Sequence, residues 1–296
     1  MKKASVLIFL ISQVTFCASA DSGKPSVKRA MRVLNGFCAF VPSGAAVLGN
    51  DTVSVQSFFM STTEVTNLQY AEFLSHLKKK GELEKLKIAQ VDSACWTRSL
   101  NYGGPMAAYY HQHPAYFSYP VVGITKEGAA LYCEWLTEVY DSLSGGEGKI
   151  IFRLPTQAEW VRAARGDEHN RVYAWESMGI RNEKGEVQAN FLSFGSENIT
   201  RNPETGQLEV NTNDWVGQSS DLDNFDIVAP TDSFWPNDFG MYNMNGNVSE
   251  LLADGNLAAG GDWRSPGFDI RNESTTAVSG TEPTVGFRIV ATYLSN

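Results

Sequence analysis

The residues of this chain best suited to chemistry are oxygen donors rather than thiols or imidazoles. In PNDFGMYNMNGNVSEL (236–251), Asn243, Asn245, Asn247 and Glu250 crowd into a few residues. A hard cation such as calcium collects about six to eight oxygens, from carboxylates, side-chain amides and backbone carbonyls alike, and tolerates irregular geometry. The stretch is too rich in Gly and Asn to be the interior of a helix or strand. Yet Phe239, Met241, Tyr242, Met244 and Val248 draw it into the interior, where irregular backbone must find partners for its polar groups. Two readings meet that demand: a turn nailed by calcium, or a tight Asn/Gly turn pinned by side-chain hydrogen bonds alone. The spacing is not that of an EF-hand loop, and composition by itself favours the second.

Other chemistries have less to stand on. Of four cysteines, Cys17, Cys38, Cys95 and Cys133, the first falls in an export signal. The other three allow at most one disulfide, whose pair the sequence does not specify. No CxxC or Cys/His cluster occurs, so the pattern excludes a structural zinc site. The histidines are His76, His111, His113 and His169. His111 and His113 could share one side of a strand, but no third ligand lies nearby. There is no phosphate-binding Gly-rich loop, serine nucleophile motif or HExxH.

The elements that must position these residues can be read in outline. Lys2 and Lys3, an apolar run from Val6 to Phe16 and Ala18-Ser19-Ala20 form a secretory signal over residues 1–20, too short to span a bilayer. A lipidated Cys17 is the rival reading. No other stretch is apolar enough for a membrane span. The formal net charge of −9 on 296 residues repels phosphate backbones, which argues against nucleic-acid binding. With 43% hydrophobic and 11% aromatic residues the remainder is globular.

Residues 21–32 read as a polar lead-in, and one domain is expected over 33–294. Short strands are expected between Val33 and Met60, and a helix begins after the cap Thr66, with Tyr70, Phe73, Leu74 and Leu77 on one face. A buried strand at 119–124 leads to a helix capped by Thr125, with Ala129, Cys133, Leu136 and Tyr140 facing inward. In RLPTQAEWVRAARG (153–166), Thr156 and Glu159 form a capping box, and Trp160, Ala163 and Ala164 make a narrow apolar stripe. Residues 167–235 lack periodicity but carry regular aromatics, so metal or side-chain bonds must order them. Residues 258–265 and 285–290 read as two returning strands.

EVTNLQYAEF (64–73), YPVVGITKEGAALYCEWL (119–136), RLPTQAEWVRAARG, NDFGMYNMNGNVSE (237–250), GGDWRS (260–265) and VGFR (285–288) resemble, in order and spacing, the formylglycine-generating enzyme (sulfatase-modifying factor) family. HPAYFSYPVVGIT (113–125) is similar to its gliding-motility and type IX secretion lipoprotein branch. The resemblance implies an α+β fold related to C-type lectins, with little regular secondary structure and two bound calcium ions. By this resemblance, Asn243, Gly246, Val248 and Glu250 would hold one, and Asn190, Phe191, Asp223 and Phe225 the other. Ser249 and Leu251 stand where the family commonly has tryptophans.

The family's oxidase binds copper through two cysteines that would fall near Ser265 and Ile270, and no cysteine lies beyond Cys133. Serine does not replace thiolate for copper(I), so copper and formylglycine synthesis are not expected. Asp262, Trp263, Arg264, Ser265, Asp269, Arg271 and Arg288 could still line the former cleft and bind a peptide or glycan; alternatively Arg271 and Arg288 only make internal ion pairs. The expectation is an exported, non-catalytic binding or scaffold protein of the cell envelope, in the periplasm or at the outer surface. The alternative is an oxidoreductase of the family with another metal arrangement, using for example the histidines.

Overall fold

A computed structural model describes residues 26–145, 149–168, 170–177, 179–182, 184–192, 199–210 and 227–294. The expected signal at 1–20 with Cys17, and also His169, Asp223 and Phe225, lie outside the described residues.

Two four-stranded sheets frame the chain. In the first, β1 (Cys38–Val41), β4 (Phe58–Ser61), β12 (Val290–Leu294) and β5 (Lys149–Arg153) lie in that order, all antiparallel. In the second, β10 (Thr275–Ala277), β9 (Leu257–Ala259) and β8 (Ser249–Leu251) are antiparallel, and β11 (Val285–Gly286) joins β8 in parallel. Separate hairpins pair β2 (Gly44–Leu48) with β3 (Asp51–Val55), and β6 (Ile199–Arg201) with β7 (Leu208–Val210). Residues 287–289 therefore step directly from the second sheet to the first, and the Arg288 side chain there reaches both, at Glu250 and Ser61.

The helices follow their local signals. α1 (Val27–Leu34) buries Ala30, Val33 and Leu34 in the main core, so the described part of the expected lead-in is a packed helix. Three apolar residues on one face outweigh its cationic remainder. α2 (Asn67–Lys80) begins at Thr66, whose hydroxyl takes the Gln69 N–H while the Gln69 side chain takes the Thr66 N–H. It ends at Gly81 with φ 75°. Tyr70, Phe73 and Leu77 are buried as expected. Short helices α3 (Leu83–Ala89), α4 (Cys95–Ser99) and α5 (Gly104–Tyr109) fill a region with little signal of its own. α6 (Lys126–Ser144) is capped by Thr125 and buries Ala129, Cys133, Leu136 and Tyr140. The expected strand before it is an extended segment that joins no sheet. Thr66 bridges Pro120 and the Val121 N–H reaches Val65, while Val121, Val122 and Ile124 are buried.

α7 (Gln157–Arg165) carries the Thr156–Glu159 capping box, but its burial is not a stripe: every residue from Glu159 to Arg165 is buried. It is packed on all sides, and its two arginines find partners for Nη atoms while each leaves a buried Nε without one. Arg162 reaches the Gly166 carbonyl, and Arg165 bonds Val47 and Glu273. Periodicity marks only the apolar side of such a helix, because the arginines enter the interior on partners from elsewhere in the chain, Arg165 on Glu273 and Arg162 over the Phe239 ring.

Glu159 accepts from both Arg153 Nη atoms, at 2.7 and 2.5 Å, and from the Thr156 N–H at 2.9 Å. Burial pushes its carboxyl up, but the Arg153 and Thr156 bonds outweigh that and hold it below the ordinary glutamate value. Its contribution is therefore present at neutral pH and lost as the pH falls below about 4.5. Glu159→Gln is expected to cost about 1.5–3 kcal/mol at pH 7. Urea melts at a series of pH values should show the gap to the parent closing in acid. A gap independent of pH would contradict the assignment.

The expected returning strand at 258–265 is a strand only to Ala259; Gly260 and Gly261 then turn the chain with φ 88° and 65°. Among the described residues, no helix is long and apolar enough to cross a membrane.

Candidate functional site: a buried amide and carboxylate cage

Four segments meet where the chain passes from the second sheet to the first. Glu64 lies between β4 and α2, in a segment pinned on both sides by Val65 N–H to Phe287 and Val121 N–H to Val65. Glu250 is on β8, opposite Ala259 and Gly286. Arg288 occupies the step from β11 to β12. The fourth segment is the turn 243–248, where Asn243 (φ 51°), Gly246 (φ 76°) and Asn247 (φ 62°) are left-handed. Asparagine and glycine are the residues that enter this region at least cost. Gly246 is also sterically required, because a Cβ there would run into the Asn190 carbonyl. That carbonyl accepts the Asn247 N–H at 2.7 Å.

The asparagines divide by what their oxygens meet. Asn247 is fully used: Oδ1 accepts from the Ala229 N–H, and Nδ2 donates to Glu64 Oε1 at 2.8 Å and to the Ala229 carbonyl. Asn245 is likewise a clasp. It accepts from the Ala174 N–H at 2.6 Å and donates to Ile270 and Asn272, which in turn donates to Arg171. These bonds tie the aperiodic chain at Arg171 and Ala174 to the turn.

Asn190 and Asn243 differ. Their amide nitrogens are engaged, Asn190 with Ile227 and Asn247, Asn243 with Pro230 at 3.1 Å and Glu64 at 3.5 Å. Their Oδ1 atoms are buried and accept nothing among the described residues. Each such oxygen costs about 1–3 kcal/mol if left unmade.

The carboxylates are the second feature. Glu64 is 0% and Glu250 1% exposed, and Arg288, also 0%, is the guanidinium beside them. Arg288 grips Glu250 through Nε and Nη2, at 2.6 and 2.5 Å, and donates to the Ser61 and Tyr242 carbonyls. Trp160 Nε1 donates to the same carboxylate at 2.6 Å. Burial pushes the Glu64 carboxyl up to about 8, with Arg288 opposing and Glu250 reinforcing.

Of the residues expected to hold calcium, Asn243, Gly246 and Val248 share one buried turn, and Asn190 abuts it through its carbonyl. Phe191 is packed with Tyr173, Val187, Ala189 and Ile270. Glu250 is turned away from Asn243, toward Trp160 and Arg288; the carboxylate beside Asn243 is Glu64. Sequence reading missed Glu64. Its only signal was an acid placed two residues before the helix cap Thr66.

The expected binding cleft does not assemble. Trp263 is 2% exposed, its ring 6.5 Å from Trp96 and nearly parallel to it, so it offers no platform. Arg288 is wholly interior, and Arg271 lies 3.5 Å over the Phe268 ring and bonds the Phe268 carbonyl. Asp262, Arg264 and Ser265 form one turn: Asp262 accepts from the Arg264 N–H and Ser249, and its own N–H donates to Ser265. Burial raises the Asp262 carboxyl against those bonds. An indole buries too much apolar area to stay outside once a partner ring is available. The histidines also separate. His76 tilts against Trp135, His111 faces the Val122 carbonyl and His113 caps the turn at Pro114. Among the described residues no three His, Cys, Asp or Glu side chains are placed to hold a metal. Cys38, Cys95 and Cys133 are each free and buried, so the disulfide left open by the sequence is not formed.

The sulfatase-modifying factor enzyme 1-like domain matches residues 20–293. The chain belongs to that family. It is 28% identical over 250 residues to the formylglycine-generating enzyme of Mus musculus, covering 72% of this chain and 57% of that protein. To the inactive C-alpha-formylglycine-generating enzyme 2 of Bos taurus it is 27% identical over 256 residues, covering 76% and 72%. It thus spans just over half the length of the mouse enzyme. Among solved structures, PvdO from Pseudomonas aeruginosa superposes with a TM-score of 0.53 at 19% identity, over 86% of this chain and 93% of that one. That likeness shows the fold alone: a single domain of the sulfatase-modifying factor type, mixing helices and sheets.

Proposed function

We propose that this sulfatase-modifying factor domain is a non-catalytic, exported scaffold of the cell envelope, stabilised by calcium, that binds a protein or glycan there. The reading rests on one observation above others. The fold is kept while no cysteine lies beyond Cys133, and Ser265 and the buried Ile270 stand where the copper-binding thiols would fall. A relative named as inactive, found over three quarters of the chain, is compatible with it. Export through the 1–20 signal, with anchoring at Cys17 as the variant form, and a place beside gliding-motility or type IX secretion components, belong to the same proposal.

Calcium is supported by the donor set. Asn190 and Asn243 each hold a buried amide oxygen without a donor, and Asn243 lies next to the buried Glu64 carboxylate, which suits a hard cation. Asn243 with the carbonyls of Gly246 and Val248 would hold one ion; Asn190 and Phe191, with Asp223 and Phe225, the other. Bound there, calcium supplies charge and cross-linking rather than a reaction.

The purified protein tests both halves. Saturating calcium at about 100 times Kd should add about 2.7 kcal/mol, a rise in Tm of roughly 5–10 °C over the chelated sample. Copper(I), oxygen and a cysteine peptide should give no oxygen uptake above the protein-free blank. Turnover of the cysteine to an aldehyde would establish the oxidoreductase instead, and a melt unmoved by chelator would remove the calcium.

A further inference from the structure

Positive charge is concentrated at one end of an acidic chain. Asp21 is the one acid among residues 21–50, where Lys24, Lys28, Arg29 and Arg32 also lie, although the whole chain carries 33 acidic and 24 basic residues. α1 turns that composition into a surface. Ala30, Val33 and Leu34 are buried beneath it, while Lys28 and Arg32, one turn apart, are exposed on its outer side. Among the described residues neither cation forms an ion pair. Phe40 adds an apolar element. It shares a face of β1 with Cys38, which packs into the core with Ala30, Val33 and Leu34. Its ring therefore emerges on the side of the first sheet that α1 covers, 54% exposed and edge-on to Phe59 at 5.3 Å.

We propose that this face, Lys28 and Arg32 on α1 with Phe40 on the same side of the sheet, docks the domain on a membrane surface bearing anionic lipid headgroups. The inference rests on the envelope reading above and adds to it the side of the domain that meets the bilayer. Cations with an exposed aromatic ring suit a headgroup layer, where charge meets phosphate and the ring meets acyl chain. The net negative charge of the chain does not cancel this attraction. At about 0.1 M salt, charges more than about 10 Å away are screened, and a domain of this length has a radius of gyration of about 19 Å. Acids on the far side therefore do not oppose the contact. The order of the chain favours lipid over the acidic side of a second copy. The basic stretch follows the 1–20 signal at once, and a lipid on Cys17 would hold Val27 within roughly 35 Å of the bilayer.

Vesicle cosedimentation of the exported chain, residues 21–296, tests it at a fixed calcium level. Vesicles of equal parts phosphatidylglycerol and phosphatidylcholine should pull the protein down, vesicles of phosphatidylcholine alone should not, and added salt should release it. Lys28→Gln/Arg32→Gln should weaken the binding about thirtyfold at an unchanged melting temperature, and Phe40→Ser should weaken it too. Equal sedimentation with both vesicle types, none with either, or parental binding by the double variant would overturn the docking and leave the calcium-stabilised, non-catalytic reading intact. A salt-sensitive dimer that forms without lipid and is lost in the double variant would give the face to a second copy, overturning it equally. Should the double variant fold poorly, parental binding by both single variants, Lys28→Gln and Arg32→Gln, would overturn it. A chain retained in the cytoplasm with residues 1–20 uncleaved would remove the envelope reading itself, and the docking with it.

Discussion

Arg288→Met is expected to be among the most damaging single substitutions in the described chain, lowering stability by about 3–5 kcal/mol or preventing accumulation of folded protein. Methionine fills much of the volume, so the loss is electrical. Glu250 would keep only the Trp160 N–H, and Glu64 would lose the single cation near it. The Ser61 and Tyr242 carbonyls would lose a donor as well, and with them the cross-link between the two sheets. For a domain of this size the cost corresponds to roughly 6–20 °C in Tm, measurable by scanning calorimetry. The double variant Arg288→Met/Glu250→Gln should recover part of the loss, since one of the stranded charges is gone. If Arg288→Met melted within a degree or two of the parent, the ion pair would not be the central clamp described here.

Gly246→Ala carries the second large effect, and Gly81→Ala is its control. The two glycines have nearly the same backbone, φ 76° and 75°. A methyl on Gly81 meets nothing, whereas one on Gly246 collides with the Asn190 carbonyl. At Gly81 only the left-handed strain is added, about 1 kcal/mol. At Gly246 the turn must also back away from Asn190, breaking the bond from the Asn247 N–H and opening the cage. The loss there should exceed the control by at least about 2 kcal/mol, and the calcium response should fall with it. Equal losses at both positions would show that the close approach contributes nothing.

Fold membership and most helix starts were open to reading because they are written locally. Thr66, Thr125 and Thr156 each cap a helix whose donors lie three residues away. The apolar faces of α2 and α6 repeat within one or two turns, so a window of a dozen residues suffices. The 243–250 turn was equally plain: only Asn and Gly accept its positive φ, and no other stretch puts so many amide oxygens so close. Strand assignments fared worse, since whether 119–124 or 258–265 joins a sheet depends on what lies alongside.

By itself, then, the sequence determined the family, the capped helices, the lack of thiols after Cys133 and an oxygen-rich turn. Which acid faces that turn was decided only by tertiary structure. Glu64 and Asn247 are 183 residues apart, and Arg288 reaches Ser61 across 227. The same long-range packing buried Trp263 against Trp96 and dissolved the expected cleft. Local backbone preferences act over a few residues and leave a mark in composition. The pairing of buried charges follows from which segments the folded core brings into contact, and the residues between them carry no trace of it.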